Sequence, residues 1–100
     1  TKMMFCFDAC QIGAMKTDLN ATGRVIAVAS STSTYSYDGD ASMKNGVFTY
    51  YQMDGFDNLS YTYLEPDCSY ACSSMTSWAS ARRLKVAPSY ADSYSGNFDL

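Results

Sequence analysis

Histidine is absent from this 100-residue sequence. Imidazole is the commonest general base in enzymes and a frequent metal ligand, so a site that needs one must obtain it from outside these residues. Basic residues are also scarce, with seven Lys and Arg against ten Asp and Glu and a net charge of −3. The longest basic cluster, residues 82–85, is too short to bind DNA or RNA by charge, and we expect it in the last turn of a helix. The composition therefore predicts no nucleic-acid partner.

Long apolar runs are missing as well. No stretch approaches the length of a membrane span and no signal peptide opens the sequence, so we expect no membrane partner. A hydrophobic fraction of 47% lies far from the composition of disordered chains and predicts one packed domain. Abundant Ser, Thr and Tyr, together with glycosylation sequons at Asn20 and Asn58, favour an extracellular location over a cytoplasmic one.

Two apolar segments predict the strands of an α/β fold. Residues 3–7 and 24–30 are continuous apolar runs, typical of strands that are buried on both faces. A short helical stretch at residues 12–19 connects them, and the three segments together predict a βαβ unit. Residues 31–45 are rich in Ser, Thr, Tyr, Asp and Gly and predict a long loop, which is commonly a functional one.

The second half of the chain predicts a helix, a longer helix and a short terminal strand. The first helix covers residues 46–54, with Asn45 as its N-cap and Gly55 as its C-terminal stop. The terminal strand is predicted at residues 97–100.

The longer helix is predicted over residues 67–86, between Pro66 and Pro88. Its apolar face contains two cysteines, Cys68 and Cys72, four positions apart. These cysteines form either a local disulfide or part of the core. We expect no zinc site, because no second pair of ligands with metal spacing occurs.

The chemically informative segment follows the first strand. Asp8, Ala9 and Cys10 come directly after the buried run, and Gly13 permits a tight backbone path or a close approach. Catalytic groups in open α/β sheets gather at the carboxyl ends of strands, so Cys10 is the candidate nucleophile. Cys6, within the strand, is predicted to be a core side chain.

The run Phe7-Asp8-Ala9-Cys10 with Gly13 resembles the nucleophile motif of the caspase-like cysteine peptidases, a group that includes caspases, metacaspases, legumain, clostripain and gingipains. It is closest to the clostripain-like and bacterial versions. Residues 25–31 are similar to the next strand of the family, and residues 45–51 are similar to the segment that opens its following helix. The resemblance implies that residues 1–100 form the C-terminal half of a three-layer caspase-like sandwich.

The resemblance also implies roles for individual residues. Cys10 would attack the peptide bond to give a thioester, and its backbone N–H would help to bind the oxyanion. Asp8 matches a position that lines the S1 pocket, where a carboxylate would favour Arg or Lys. Asp38 or Asp40 could supply a second carboxylate, and Ser31 could line the same pocket. The chemistry implied requires no metal or organic cofactor.

The missing histidine is the main departure from the family. The catalytic His and the first strands would come from an upstream segment or a second chain, so the isolated chain is predicted to be inactive. Two alternatives remain open. One is a catalytically inactive caspase-like binding or scaffold domain, and the other is a secreted structural subunit with its cysteines in disulfides.

Overall fold

The order of helices and strands is that of an α/β protein, as predicted. The computed structural model describes residues 2–99. Its elements in chain order are β1 (Met3–Phe7), α1 (Ala14–Asp18), β2 (Arg24–Val28), α2 (Val47–Asp57), α3 (Leu64–Ala81) and β3 (Ser89–Asp92). The predicted loop between β2 and α2 is confirmed, since residues 31–45 contain no helix or extended strand.

The three strands form a mixed sheet in the order β1-β2-β3. β1 and β2 are parallel, with Phe5 opposite Ile26, and α1 lies in the connection between them. β3 is antiparallel to β2, with Ala91 opposite Ile26 on the other side. The parallel pair places the residues that follow β1 and β2 at the same edge of the sheet.

Strand β2 is the centre of the molecule and is buried on both faces. Val25 and Ala27 point into the core formed with α2 and α3, and both are 0% exposed. Ile26 and Val28 point to the opposite face and are equally buried. Helix α1 lies on that side, where the Lys16 ammonium donates a hydrogen bond to Ser89, the β3 partner of Val28. Helices therefore cover both faces of β2.

Strand β1 is an edge strand, and the prediction that both its faces are buried is wrong. Met3 is 40% exposed, and Cys6, predicted as a core residue, is also exposed. Within residues 2–99, β2 is the only strand paired with β1. An apolar run indicates a strand, but burial also requires a neighbour on each side.

Helix α2 begins later and ends later than predicted. Gly46 is its N-cap, whereas Asn45 donates its side-chain amide to the carbonyl of Met43. The helix continues through Gly55, so the predicted stop is wrong. A Cβ at this position would lie 1.8 Å from Oδ1 of Asp67 on α3, so this glycine allows the two helices to approach closely.

Helix α3 begins three residues before the prediction, and Pro66 lies in its first turn, where a missing N–H is tolerated. All four cysteines are free thiols. Of the two alternatives for Cys68 and Cys72, the structure therefore shows the one without a local disulfide, because both lie within a regular helix, whose geometry is poor for such a bond. Cys68 instead belongs to the core.

The end of α3 also differs from the prediction. The helix ends at Ala81, so residues 82–85 follow the last turn instead of forming it. Arg82 is the C-cap, and its guanidinium donates a hydrogen bond to the carbonyl oxygen of Trp78 at 3.0 Å. This contact still brings a cation to the negative end of the helix dipole.

The last strand is β3, not the segment predicted at residues 97–100. Phe98 packs at the start of α3, where its N–H donates to both carboxylate oxygens of Glu65 and its carbonyl accepts from Leu64. Asp99 forms an isolated bridge with Tyr63, and Leu100 lies outside the described residues. Among residues 2–99, no helix has the length and apolar character needed to cross a membrane.

Candidate active site

A cleft of about 430 Å³ opens where β1 ends, beside the loop that precedes α2. Three of the residues that sequence analysis selected line it, namely Asp8, Cys10 and Asp38. The rest of its wall is Ala9, Ser36, Tyr37, Gly46 and Thr49. The lining therefore combines an accessible thiol with two carboxylates.

The turn that carries Cys10 is fixed to the loop after β2. Gln11 adopts a left-handed conformation with φ of 55°, and its N–H donates to the carbonyl of Thr34 at 2.9 Å. The fully buried hydroxyl of Ser30 donates to the carbonyl of Ala9 at 2.7 Å. These bonds on both sides of Cys10 hold the thiol at the mouth of the cleft.

Gly13 supports this turn through a close approach. A Cβ there would lie 2.7 Å from Cα of Ser31 and 2.9 Å from the backbone nitrogen of Thr32. Its φ of −57° is helical, so the lack of a side chain, not an unusual backbone conformation, is what the structure needs. Ser31 lies outside the cleft lining, where its N–H donates to the hydroxyl of Thr34 at 2.8 Å.

The Cys10 residue is exposed, and its thiol makes one weak hydrogen bond. Its Sγ donates a weak hydrogen bond to the carbonyl oxygen of Ser36 at 3.4 Å. Its backbone N–H takes part in none of the backbone hydrogen bonds within residues 2–99. The sulfur is therefore available to a ligand in the cleft. A histidine to activate the thiol cannot come from this sequence, which contains none.

Asp8 connects the end of β1 to the start of α2. One carboxylate oxygen accepts a hydrogen bond from the hydroxyl of Ser36. The other accepts from the backbone N–H of Thr49 at 3.1 Å and from its hydroxyl at 2.6 Å. The Thr49 amide lies in the first turn of α2, so Asp8 acts as a helix cap supplied by another element. A side chain at Gly46 would collide with this carboxylate.

The two loop carboxylates lie in different places. Asp38 lines the cleft, and its backbone forms a bridge with Gly46. Asp40 lies outside the cleft lining and accepts hydrogen bonds from the hydroxyl and N–H of Ser42 and from the N–H of Met43. These bonds, led by that of the Ser42 hydroxyl, hold the pKa of Asp40 below its usual value. Asp40 therefore shapes its own loop.

Sequence analysis did not select five of the cleft residues, namely Ala9, Gly46, Ser36, Tyr37 and Thr49. Thr49 belongs to the segment that resembles the caspase-like family, so its position was a usable signal. Ser36 and Tyr37 lie in a loop without periodicity. Only the folded chain shows that Ser36 contacts Asp8 and Cys10 and that Tyr37 lines the same cleft.

The other thiols lie in surroundings that disfavour the thiolate. Although Cys6 is partly exposed, its Sγ points inward to Oε1 of Gln52 at 2.7 Å, and burial of the sulfur raises the pKa of Cys6 to about 12. Burial likewise raises the pKa of Cys72 to about 11 and that of Cys68 well above its usual range. Across residues 2–99, no group of three or more possible ligands is arranged to hold a metal ion.

Comparison of the chain with family models, curated proteins and solved structures gave no match.

Proposed function

We propose that this chain is the nucleophile-bearing part of a caspase-like cysteine endopeptidase that cleaves after Arg or Lys. The observation that carries the proposal is the shared cleft, in which the exposed Cys10 thiol lies beside the carboxylates of Asp8 and Asp38. A cationic side chain would be attracted to these carboxylates while its backbone carbonyl approaches the sulfur. Cys10 is also the cysteine whose sulfur is open to a ligand in this cleft.

The reaction begins when an imidazole from an upstream segment or a second chain removes the Cys10 proton. The thiolate then adds to the carbonyl carbon, and the backbone N–H of Cys10 stabilises the oxyanion. Collapse of this intermediate breaks the C–N bond, and the amine leaves with the proton from the imidazolium. Water then hydrolyses the thioester and restores the thiol.

The open edge of β1 supports the need for further protein. Its side chains are apolar, yet Met3 and Cys6 are exposed, and within residues 2–99 no strand pairs with its outer side. Unpaired apolar edges are normally covered in native proteins. A neighbouring strand would cover this edge and could bring the missing imidazole to the end of β1. We therefore predict no peptidase activity from the isolated chain.

Active-site labelling tests the proposal directly. The native protein, with any chain that co-purifies, is treated with acyloxymethyl ketones that carry Arg, Lys or norleucine. We expect the Arg and Lys reagents to form a thioether on Cys10 with loss of the carboxylate leaving group, located by peptide mass spectrometry. The same measurement would identify a second chain that contains histidine.

Three variants sharpen this test. Cys10→Ser should abolish labelling, whereas Cys6→Ser, which removes another thiol of the same strand region, should not. Asp38→Asn should reduce the preference for Arg over norleucine by about tenfold, since it removes one cleft charge. Equal labelling by all three reagents would contradict the basic preference. Labelling confined to other cysteines would contradict the peptidase proposal.

A catalytically inactive binding domain is the second candidate. It is favoured by the hydrogen bonds of Asp8, whose oxygens already accept from Ser36 and Thr49. These bonds give Asp8 a structural role at the start of α2. In that case Cys10 should remain unlabelled even when a second chain with histidine co-purifies, while Arg-containing peptides still bind the cleft.

A further inference from the structure

One residue of the loop after β2, Ser36, contacts both functional groups of the Cys10 cleft. Its carbonyl oxygen accepts the weak hydrogen bond of the Cys10 thiol at 3.4 Å. Its hydroxyl donates a hydrogen bond to Oδ1 of Asp8, which lies 28 positions earlier in the chain. Ser36 therefore links the sulfur to the carboxylate from a distant part of the sequence.

The backbone around Ser36 is fixed on both sides. Before it, the carbonyl of Thr34 accepts a hydrogen bond at 2.9 Å from the N–H of Gln11, the residue that follows the thiol. After it, the carbonyl of Tyr37 accepts one at 2.9 Å from the N–H of Val47, the first residue of α2. Because these are backbone bonds, they do not depend on the Ser36 side chain. The position of Ser36 is therefore set by the turn after β1 and by the start of α2.

The hydrogen bonds of Asp8 orient its carboxylate without filling it. Oδ2 accepts from the N–H of Thr49 at 3.1 Å and from its hydroxyl at 2.6 Å, whereas Oδ1 accepts from Ser36. A carboxylate offers about four lone-pair sites, so these three bonds leave one for a ligand. That site belongs to Oδ1, the oxygen that Ser36 contacts, in the cleft that Cys10 also lines.

We propose that Ser36 is a positioning residue, which holds the Cys10 sulfur and the Asp8 carboxylate at a fixed separation and so makes the cleft selective for the length of the basic side chain. The inference rests on the proposed function, in which one peptide presents a carbonyl carbon to the sulfur and a cation to the carboxylates. A side chain that is one methylene too short or too long then satisfies one of the two contacts at the expense of the other. Asp38 lines the same cleft and is exposed, so it attracts a cation without fixing the length.

Reagents of graded length test this role. The native protein, with any chain that co-purifies, is treated with acyloxymethyl ketones that carry lysine, ornithine or diaminobutyrate, whose side chains end in the same ammonium and shorten by one methylene at each step. We expect one of these reagents to label Cys10 about tenfold faster than the next best, the lower end of what one methylene contributes in a well-fitted pocket. Equal rates for all of them would overturn the proposal.

Variants of the loop assign the selectivity to one hydroxyl. Ser36→Ala keeps the carbonyl but removes the bond to Asp8, so the ratio between the best and the next-best reagent should fall from about ten to about two. Ser36→Thr returns a hydroxyl and should restore most of the ratio. Ser33→Ala removes an exposed hydroxyl from the same loop, outside the cleft lining, and should leave the ratio unchanged. A ratio that survives Ser36→Ala, or that Ser33→Ala also removes, would contradict the assignment.

Asp38→Asn separates the effect of charge from that of length. It removes one carboxylate of the cleft, so it should slow labelling by all of the ammonium reagents and preserve the ratio between them. Ser36→Ala should instead change the ratio. If Asp38→Asn also abolished the ratio, the charge of the cleft and not the position of Asp8 would set the selectivity, and the role of Ser36 would be rejected.

Reagents that need no peptidase chemistry keep this inference separate from the proposed function. Alkylammonium methanethiosulfonates react directly with a thiolate, which attacks the sulfenyl sulfur to form a mixed disulfide while methanesulfinate leaves. With aminoethyl, aminopropyl and aminobutyl reagents, the rate at Cys10, located by peptide mass spectrometry, should depend on length in the native protein and lose that dependence in Ser36→Ala. This result supports the role of Ser36 even if no ketone labels Cys10, an outcome that would reject the peptidase proposal only. Rates independent of length would reject the role of Ser36, even if the ketones label Cys10.

Discussion

Strands β1 and β2 have similar apolar sequences and opposite surroundings. β2 is buried on both faces, from Val25 to Val28 at 0% exposure. β1 runs parallel to it in register, yet none of its residues is fully buried. The polar surroundings differ too, since Cys6 of β1 contacts the Gln52 side chain, whereas β2 meets the apolar core. An apolar sequence is enough to form a strand, but the burial of that strand depends on how many strands and helices pack against it.

The largest expected change in stability comes from a comparison of two residues that lie opposite each other on β1 and β2. Ile26→Ala should lower the free energy of unfolding by about 3–4 kcal/mol, because it leaves a cavity in the middle of the sheet. Phe5→Ala, at the paired position on β1, should cost about half as much, since Phe5 is only partly buried. Urea denaturation of both variants measures the difference. Equal losses would mean that β1 is covered in solution.

A pH-dependent comparison uses Asp67, a fully buried carboxyl whose oxygens have no hydrogen-bond partner within residues 2–99. Burial, with a smaller contribution from Asp54, raises the pKa of Asp67 from 3.8 to about 7. The folded state thus retains a proton that the unfolded state releases, so stability is greatest below about pH 4 for this group and falls as the pH rises to 7.

Asp67→Asn should remove this loss and stabilise the protein at pH 8 by roughly 2–3 kcal/mol, somewhat below the full linkage value for such a shift. Asp57→Asn, on the exposed side of α2, is the control and should leave the pH dependence unchanged. Urea titrations between pH 4 and pH 8 provide the measurement. Parallel curves for the native and Asp67→Asn proteins would contradict a buried ionisable carboxyl.

Gly13→Ala tests the contact that joins the turn after β1 to the loop after β2. The added Cβ would collide with the backbone of Ser31, so we expect a loss of about 1–2 kcal/mol and slower labelling of Cys10. Ala14→Ser also adds one heavy atom, at an exposed neighbouring position, and should change stability by less than about 0.5 kcal/mol. Thermal melts measure the change in stability, and thiol labelling measures the reactivity of Cys10. If Gly13→Ala changed neither, the loop that contains Ser31 would have to move to accommodate the added methyl group.

The smallest expected effect is at the open edge itself. Met3→Glu places a carboxylate opposite Arg24 on an exposed position and should change stability by less than about 0.5 kcal/mol. It should also reduce self-association, because charges on an edge strand oppose pairing with other chains. Light scattering at several concentrations is the measurement. Unchanged association would indicate that the outer edge of β1 does not mediate self-association.

Much of the fold was predictable wherever the signal was local. β2 and the loop at residues 31–45 follow from composition, and the association of Asp8 with Cys10 follows from their position at the end of a strand. Helix boundaries were less predictable. Gly55 is a typical helix stop in sequence, but here it makes room for Asp67, which lies twelve residues away.

The parts that could not be predicted depend on distant contacts. The short strand β3, Ser89–Asp92, has a weak pattern of its own and forms by pairing with β2. Ser36 lines the cleft because its hydroxyl donates a hydrogen bond to Asp8. Asp40 lies outside the cleft because its carboxylate accepts hydrogen bonds within its own loop.

The contact between Lys2 and Asp99 has a consequence for the order of folding. Lys2 Nζ lies 2.5 Å from the Asp99 carboxylate, and the contact closes a loop of 97 residues. Closing a long loop costs conformational entropy, while an exposed ion pair is screened by solvent and returns little of that cost. We therefore expect this contact to form late, after the central sheet and helices have already brought the two segments together. The Lys2–Asp99 contact therefore reports that folding is complete and does not drive it.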